Sequence, residues 1–254
     1  MTLRKLLAGI FLRSLVVLLV GIWPPKGGAH AEEFRVLAHN TEFPPYYFYQ
    51  DGVPTGFYKD FFDAISRITG DTFINQAHPL ARGLMMFNEN LVDIESGVNL
   101  AWRTGEKTLG LFTIPYAQSV DILLFGRNKS LPVEAPSDLI GKRIGVVRGY
   151  QYPSFTKLFQ NGDIERYDVN GESQLLTMLV AGRLDQVIIN KDLALYRMRE
   201  NPVYRGLEPG FEVGGVDVML RIHPNKAAAL DRLNAAIKEL IDSGEIEGIW
   251  GRYR

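Results

Sequence analysis

From Phe34 onward, apolar positions recur in short bursts whose spacing switches between strand and helix. Residues 34–39 (FRVLAH) alternate weakly and are rich in β-formers, residues 40–45 break the pattern, and Phe57, Phe61, Phe62, Ile65 and Ile68 share one helical face before Gly70. This predicts strand, loop and helix. Residues 80–87 predict a second helix and 91–94 a short buried strand ending at Ser96-Gly97. Residues 121–125 (DILLF) predict another strand, after which the polar, proline-punctuated segment 126–136 interrupts the rhythm and marks a boundary. Beyond it, strands at 143–147, 164–169 and 185–189 alternate with helices at 153–159, 173–181 and 191–199. Gly214-Gly215 precedes a strand at 216–222. The chain closes with a long helix at 225–243, apolar at Leu230, Leu233, Ile237 and Leu240, and a short helix ending in Ile249-Trp250. Alternating strands and helices imply mainly parallel sheets flanked by helices. The expected fold class is α/β, built as two units joined by two crossings.

The first 31 residues follow a different pattern. Arg4 and Lys5 precede an apolar segment that, after Arg13, runs from Leu15 to Trp23 and stops at Pro24-Pro25. This is the layout of a cleavable signal peptide, since a membrane-spanning helix needs about 20 apolar residues. Ala29-His30-Ala31 predicts cleavage before Glu32. The absence of cysteine excludes lipid attachment at that point, as well as disulfides and thiolate metal sites. The mature protein is therefore expected to be free in the periplasm. Without Arg4, Lys5, Arg13 and Lys26, the 28 basic residues fall to 24 against 29 acidic, a net charge of about −5 that argues against nucleic acid as a partner. His30, His39, His78 and His223 are too scattered to argue a metal cluster, and no cofactor is expected. Hydrolase, phosphate-loop and zinc-protease motifs are absent.

Several motifs, in order and with near-family spacing, give the chain a family resemblance. They are Phe43-Pro44-Pro45-Tyr46 after the first strand, Gly56-Phe57 opening the first helix, Val92-Asp93-Ile94 before a glycine, and Phe112-Thr113-Ile114-Pro115-Tyr116. Later come 139–146 (LIGKRIGV) with Gly149 at its turn, Gly182-Arg183-Leu184-Asp185, and 241–246 (IDSGEI). The chain resembles the extracytoplasmic solute-binding proteins of amino-acid-type ABC transporters, over essentially all of residues 33–254. The resemblance implies the two-lobed type II periplasmic fold with two hinge crossings, lobe one from 32–122 plus 216–254 and lobe two from 123–215. Asp121 to Phe125 and Gly214 to Val218 are the hinge candidates. A ligand held between lobes stabilises the closed form because it contacts both.

Phe43, Tyr46, Tyr47 and Phe48 lie in the loop at the carboxyl end of the first strand, where open α/β sheets place ligands. By the resemblance Phe43 matches a stacking position best. Arg103 falls near the family's carboxylate-gripping arginine, about two residues early, so Lys107 competes for that place; a guanidinium fork suits a carboxylate. Ser96 and Asn99 are expected as polar contacts, and Arg82 as added positive charge. In lobe two, Arg148, Tyr150 and Gln151 surround Gly149 before a predicted helix whose first amides would bind an anion. Asn190 stands where amino-acid binders commonly carry an aspartate for the ligand's ammonium, with Asp192 as a possible replacement. A neutral amide offsets an ammonium's desolvation poorly, which favours a polar or anionic solute such as an amino acid or related carboxylate. The expected partners are that solute and an inner-membrane ABC permease, with the protein a monomer that performs no chemistry. Two other readings remain open. One is a sensor module reporting ligand to a membrane receptor. The other is a dehydratase-like enzyme, for which Glu42 and Glu95 are the carboxylates beside the cleft on lobe one.

Overall fold

A computed structural model describes residues 31–39 and 42–254; the expected signal peptide, apart from Ala31, lies outside these residues. The first strand, β1 (Glu33–His39), leads through an aromatic turn and a small hairpin, β2 (Phe48–Gln50) and β3 (Val53–Thr55), into α1 (Phe57–Thr69). Next come β4 (Thr72–His78), α2 (Leu80–Asn88), β5 (Ile94–Val98), β6 (Leu111–Phe112) and β7 (Ala117–Phe125). The middle of the chain forms β8 (Arg143–Val147), α3 (Thr156–Asn161), β9 (Glu165–Val169), α4 (Glu172–Val180), β10 (Gln186–Asn190) and α5 (Lys191–Glu200). It returns along β11 (Glu208–Ile222) and ends in α6 (Leu230–Asp242) and α7 (Glu245–Gly251).

One sheet joins nine of these strands in the order β4-β1-β5-β11-β7-β10-β8-β9, with β6 also on β11. Within each lobe the pairs β1/β4, β1/β5, β8/β9 and β8/β10 are parallel, as a strand–helix rhythm requires. The strands that pass between lobes, β7 and β11, pair antiparallel. They carry the two crossings. Register shifts flank Glu212 beside Gly214, so the ladder is irregular where the chain passes from lobe to lobe.

Each lobe has its own core. Phe34, Phe57, Phe61, Ile65 and Ile94 pack against Leu220, Leu233, Ile237, Leu240 and Trp250, so the start and end of the described chain share one core. The middle of the chain forms two others on opposite faces of its sheet, one around Ile122, Leu175, Val187 and Ile189, the other around Leu123, Phe125, Ile144 and Phe155. This alternation of residues 122–125 between two cores is the strand period at work.

The structure differs from the sequence expectation in several places. Strand β5 begins at Ile94 rather than Leu91, because the Asp93 carboxylate accepts from the Arg35 amide at 2.8 Å and from its guanidinium at 2.8 and 2.7 Å before pairing starts. Burial acts to raise that carboxyl, yet the Arg35 bonds together hold it below the usual carboxylate range. Strand β4 was not expected, and β11 spans 15 residues instead of beginning after Gly214-Gly215. The expected helix at 153–159 is a 3₁₀ turn, Pro153–Phe155, followed by the six-residue α3. So short a helix has little dipole, and the anion-binding helix start expected there is not formed.

Candidate functional site

The turn after β1 closes on itself. The Phe43 amide donates to the Tyr47 carbonyl at 2.7 Å, and the Tyr46 and Tyr47 amides donate back to the Phe43 carbonyl at 2.9 and 3.0 Å. Gly56 permits the next step, with a φ of 118° and a place for no side chain: a Cβ there would meet the Tyr46 carbonyl oxygen at 2.6 Å. The turn holds Tyr46 inward, stacked on Phe43 at 5.3 Å and Tyr58 at 5.9 Å and edge-on to Trp250 at 5.3 Å. Phe43 packs against the cores of both lobes. The Tyr46 hydroxyl donates to Asp192 Oδ2 at 3.0 Å and accepts a long bond from Asn190 Nδ2 at 3.4 Å. These bonds join residues about 145 positions apart in sequence, one from each lobe.

Asn190 ends β10 and caps α5, its Oδ1 accepting from the Leu193 amide at 3.0 Å while Nδ2 donates to Ser119 Oγ at 3.3 Å. Asp192 is already engaged, since Arg254 Nε donates to it at 3.3 Å. Opposite them, the Gly97 amide donates to the Tyr116 hydroxyl at 2.8 Å, and Tyr58 and Tyr116 bond each other. Burial pushes Tyr58 to about 12 and Tyr46 and Tyr116 well upward, so all three remain neutral hydroxyls.

The structure distributes the other expected residues differently. Ser96 is half-buried in β5. Asn99 Nδ2 donates to the Asp217 carbonyl at 2.7 Å, and its Oδ1 accepts from the Ala101 amide at 2.9 Å, which ties β5 to β11. The Arg103 fork lies on Glu95, with Nε and Nη2 at 3.1 and 2.5 Å from its two oxygens. The same carboxylate accepts from Arg221 Nη1 at 2.8 Å, and Arg221, fully buried, stacks its guanidinium 4.0 Å from the Phe87 ring centre. Glu95 thus holds two guanidinium groups. Arg82, Arg148 and Gln151 are exposed, and the Tyr47 hydroxyl pairs with that of Tyr49 at 2.9 Å. Tyr150 donates to Glu172 Oε1 at 2.9 Å, which links the β8–α3 turn to the first residue of α4.

Sequence reasoning did not place Tyr58, Ser119 or Glu172 in the site, and it read Asp121 as the start of a strand and a hinge candidate rather than as a site residue. The signal for Asp121 was available: an acid leads an otherwise apolar strand. In register it sits opposite Asn190 of β10 and Gly214 of β11. Burial, and then the charge of Glu172, raise its carboxyl to about 6. An acid whose folded value lies above its unfolded value of 3.8 favours the folded state while protonated, and that contribution is lost as pH rises from about 4 through about 6. Asp121→Asn should therefore gain about 1 to 2 kcal/mol on wild type between pH 4.5 and 7, allowing for partial solvent access. Paired denaturation curves at the two pH values check this; parallel curves would contradict it.

A groove of about 740 Å³ opens on the α5 and α7 side of this junction, lined by Tyr116, Gln118, Tyr196, Trp250 and Tyr253 among others. Of the residues the sequence singles out for the site, Asp192 lines it and the aromatic turn, Arg82, Arg103, Arg148 and Asn190 do not. Its charged groups are largely satisfied: Lys191 pairs with Glu212, Arg254 with Asp192, and Arg199 donates to the Tyr253 carbonyl. The converging polar groups at the carboxyl ends of β1, β5, β8 and β10 are the better candidate for binding. Among the described residues, no three His, Asp or Glu side chains are placed to hold a metal ion, and no helix is long and apolar enough to cross a membrane.

A two-lobed α/β body with two antiparallel crossings and aromatic, carboxylate and amide groups gathered at the junction defines a solute-binding class of protein. Residues 36–254 match the model of the bacterial extracellular solute-binding proteins, family 3, and the chain belongs to that family. No curated protein matches it in sequence. Among solved structures it is similar to an ancestral arginine-binding protein bound to arginine (19% identity, 87% of this chain and 97% of that one, TM-score 0.72). It is also similar to a histidine kinase sensor domain with similarity to periplasmic binding proteins (20%, 87% and 95%, 0.72). A third is an amino acid ABC transporter substrate-binding protein from Streptococcus pneumoniae bound to L-arginine (19%, 85% and 92%, 0.69). At these identities the likeness shows the fold.

Proposed function

We propose that the protein captures an amino acid or a related small solute between its lobes, in the periplasm, and delivers it to an inner-membrane ABC permease. The observation that carries this is the meeting of the β1 turn with the start of α5, where Tyr46 of one lobe bonds Asn190 and Asp192 of the other. A solute bridging the same junction stabilises the closed arrangement in proportion to what it touches on both sides. The lobes, 32–122 with 216–254 and 123–215, move about β7 and β11 near the irregular pairing at Gly214. Arg103 is held by Glu95, so it grips a solute carboxylate only by sharing its fork; the weight this places on anionic solutes is smaller than the sequence implies. Sensing for a membrane receptor uses the same capture step, and solute uptake by cells with and without the gene separates the two roles.

The test is a thermal-shift screen of protein unfolded and refolded to remove bound solute, against amino acids, opines, short peptides, organic acids and polyamines. A solute at 100 times its Kd adds about 2.7 kcal/mol of stability and raises the melting temperature by roughly 5 to 11 °C. Silence across the whole set would overturn the proposal.

A further inference from the structure

Among the described residues, several acids withdrawn from water have a cation. Asp93 has Arg35, Asp71 has Arg232, Glu95 has Arg103 and Arg221, and Asp192 has Arg254. Asp121 differs: it is half-buried in β7, and among the described residues its carboxylate receives neither an ion pair nor a hydrogen bond. The groups that face it do not supply a cation. From α4 comes Glu172, a like charge; from the β8–α3 turn come Tyr150 and Tyr152; from β10 comes the amide of Asn190; from β11 comes Gly214, which has no side chain. Arg166 of β9 lies over the Tyr152 ring at 6.0 Å but gives its fork to Asp168 and the Tyr150 carbonyl.

An ionised carboxylate partly withdrawn from water beside a like charge is unfavourable unless something positive arrives. The arrangement meets that need in one way. We infer that Asp121 determines specificity by seating a cationic group of the solute, an ammonium or guanidinium, against its own carboxylate and that of Glu172, beside the Tyr150 hydroxyl that bonds Glu172. The position also fits the site as a whole, since Ser119, two residues earlier on the same face of β7, bonds Asn190. This inference rests on capture of the solute at the lobe junction and narrows its chemistry. The raised carboxyl then acts as a sensor of acidity, because a proton on Asp121 and a cation beside it exclude each other.

Calorimetric titration of the full chain and of Asp121→Asn tests it, with L-arginine, L-lysine and putrescine as cations, L-citrulline as the uncharged twin of arginine, and L-glutamate as an anion, at pH 7.5 and 5.0. The expected result is a cationic solute that binds wild type at least tenfold tighter than L-citrulline. Asp121→Asn should lose at least tenfold for that solute. Lowering the pH should weaken wild type several-fold and leave the variant unchanged. Glu172→Gln is the second variant, expected to weaken the cation in the same direction. L-citrulline or L-glutamate binding as tightly as the cations, or equal affinities in wild type and variant, overturns the role of Asp121 while leaving capture intact. Absence of binding by these solutes and by the wider screen overturns both.

Discussion

Glu95→Gln is expected to lower the unfolding free energy by about 3 to 5 kcal/mol, because it leaves two guanidinium groups without their anion. Arg221 bears most of the loss. It is fully buried, and its remaining partners, the Leu109 carbonyl at 2.9 Å and the Thr108 carbonyl, satisfy its hydrogens but not its charge. Arg103, nearer the surface, can return part of its head to water, so Arg103→Leu should cost clearly less. Urea unfolding of the two variants, and of the double variant, measures the difference; a Glu95→Gln midpoint indistinguishable from wild type would mean the carboxylate is dispensable. For a chain of this length the melting temperature should fall by roughly 6 to 20 °C.

Trp250→Ala is expected to cost a similar amount, about 3 to 5 kcal/mol, by the separate route of an unfilled cavity. The indole is 2% exposed, stacks on Phe57 at 4.1 Å, and lies under the Arg254 guanidinium at 4.4 Å. It also supports Tyr46 from the edge, so the loss extends to the junction. Solute affinity should therefore fall together with stability, whereas Glu95→Gln should leave affinity closer to wild type. Calorimetric titration of both variants at 10 °C, where each remains folded, distinguishes these outcomes.

What the sequence disclosed follows from how local each signal is. Helix α1 was legible because Phe57, Phe61 and Ile65 recur on one face, and Gly70 ends it in the left-handed conformation. The long helix near the end was legible for the same reason, though its first six residues, Pro224–Ala229, are a 3₁₀ segment. Strand β4 was not, since it is an edge strand whose residues Thr72, Asn75 and Gln76 are polar and mostly exposed. Strand β11 was cut short because paired glycines usually mark a turn, while here they sit within an irregular ladder. In the site, the aromatic turn could be placed by its position after a strand. Its contacts could not, because Tyr46 meets Asp192 only once both lobes are assembled, 146 residues apart. Asn190 showed its side chain's chemistry but not its task, which in the structure is to cap α5.

The route of the chain has a consequence for how the protein folds as it is made. The two cores of the middle of the chain, whose buried residues run from Ile122 to Leu207 and whose flanking contacts end at Val213, are complete in sequence before residue 215 emerges. The core begun by Phe34 and Phe57 waits for Leu220, Leu233, Ile237 and Trp250, close to two hundred residues later. The part of the protein made first is therefore the last to become solid. A stalled chain ending near residue 215 exposes the apolar faces of α1 and β1, and these are the surfaces a chaperone would have to cover until the final helices arrive.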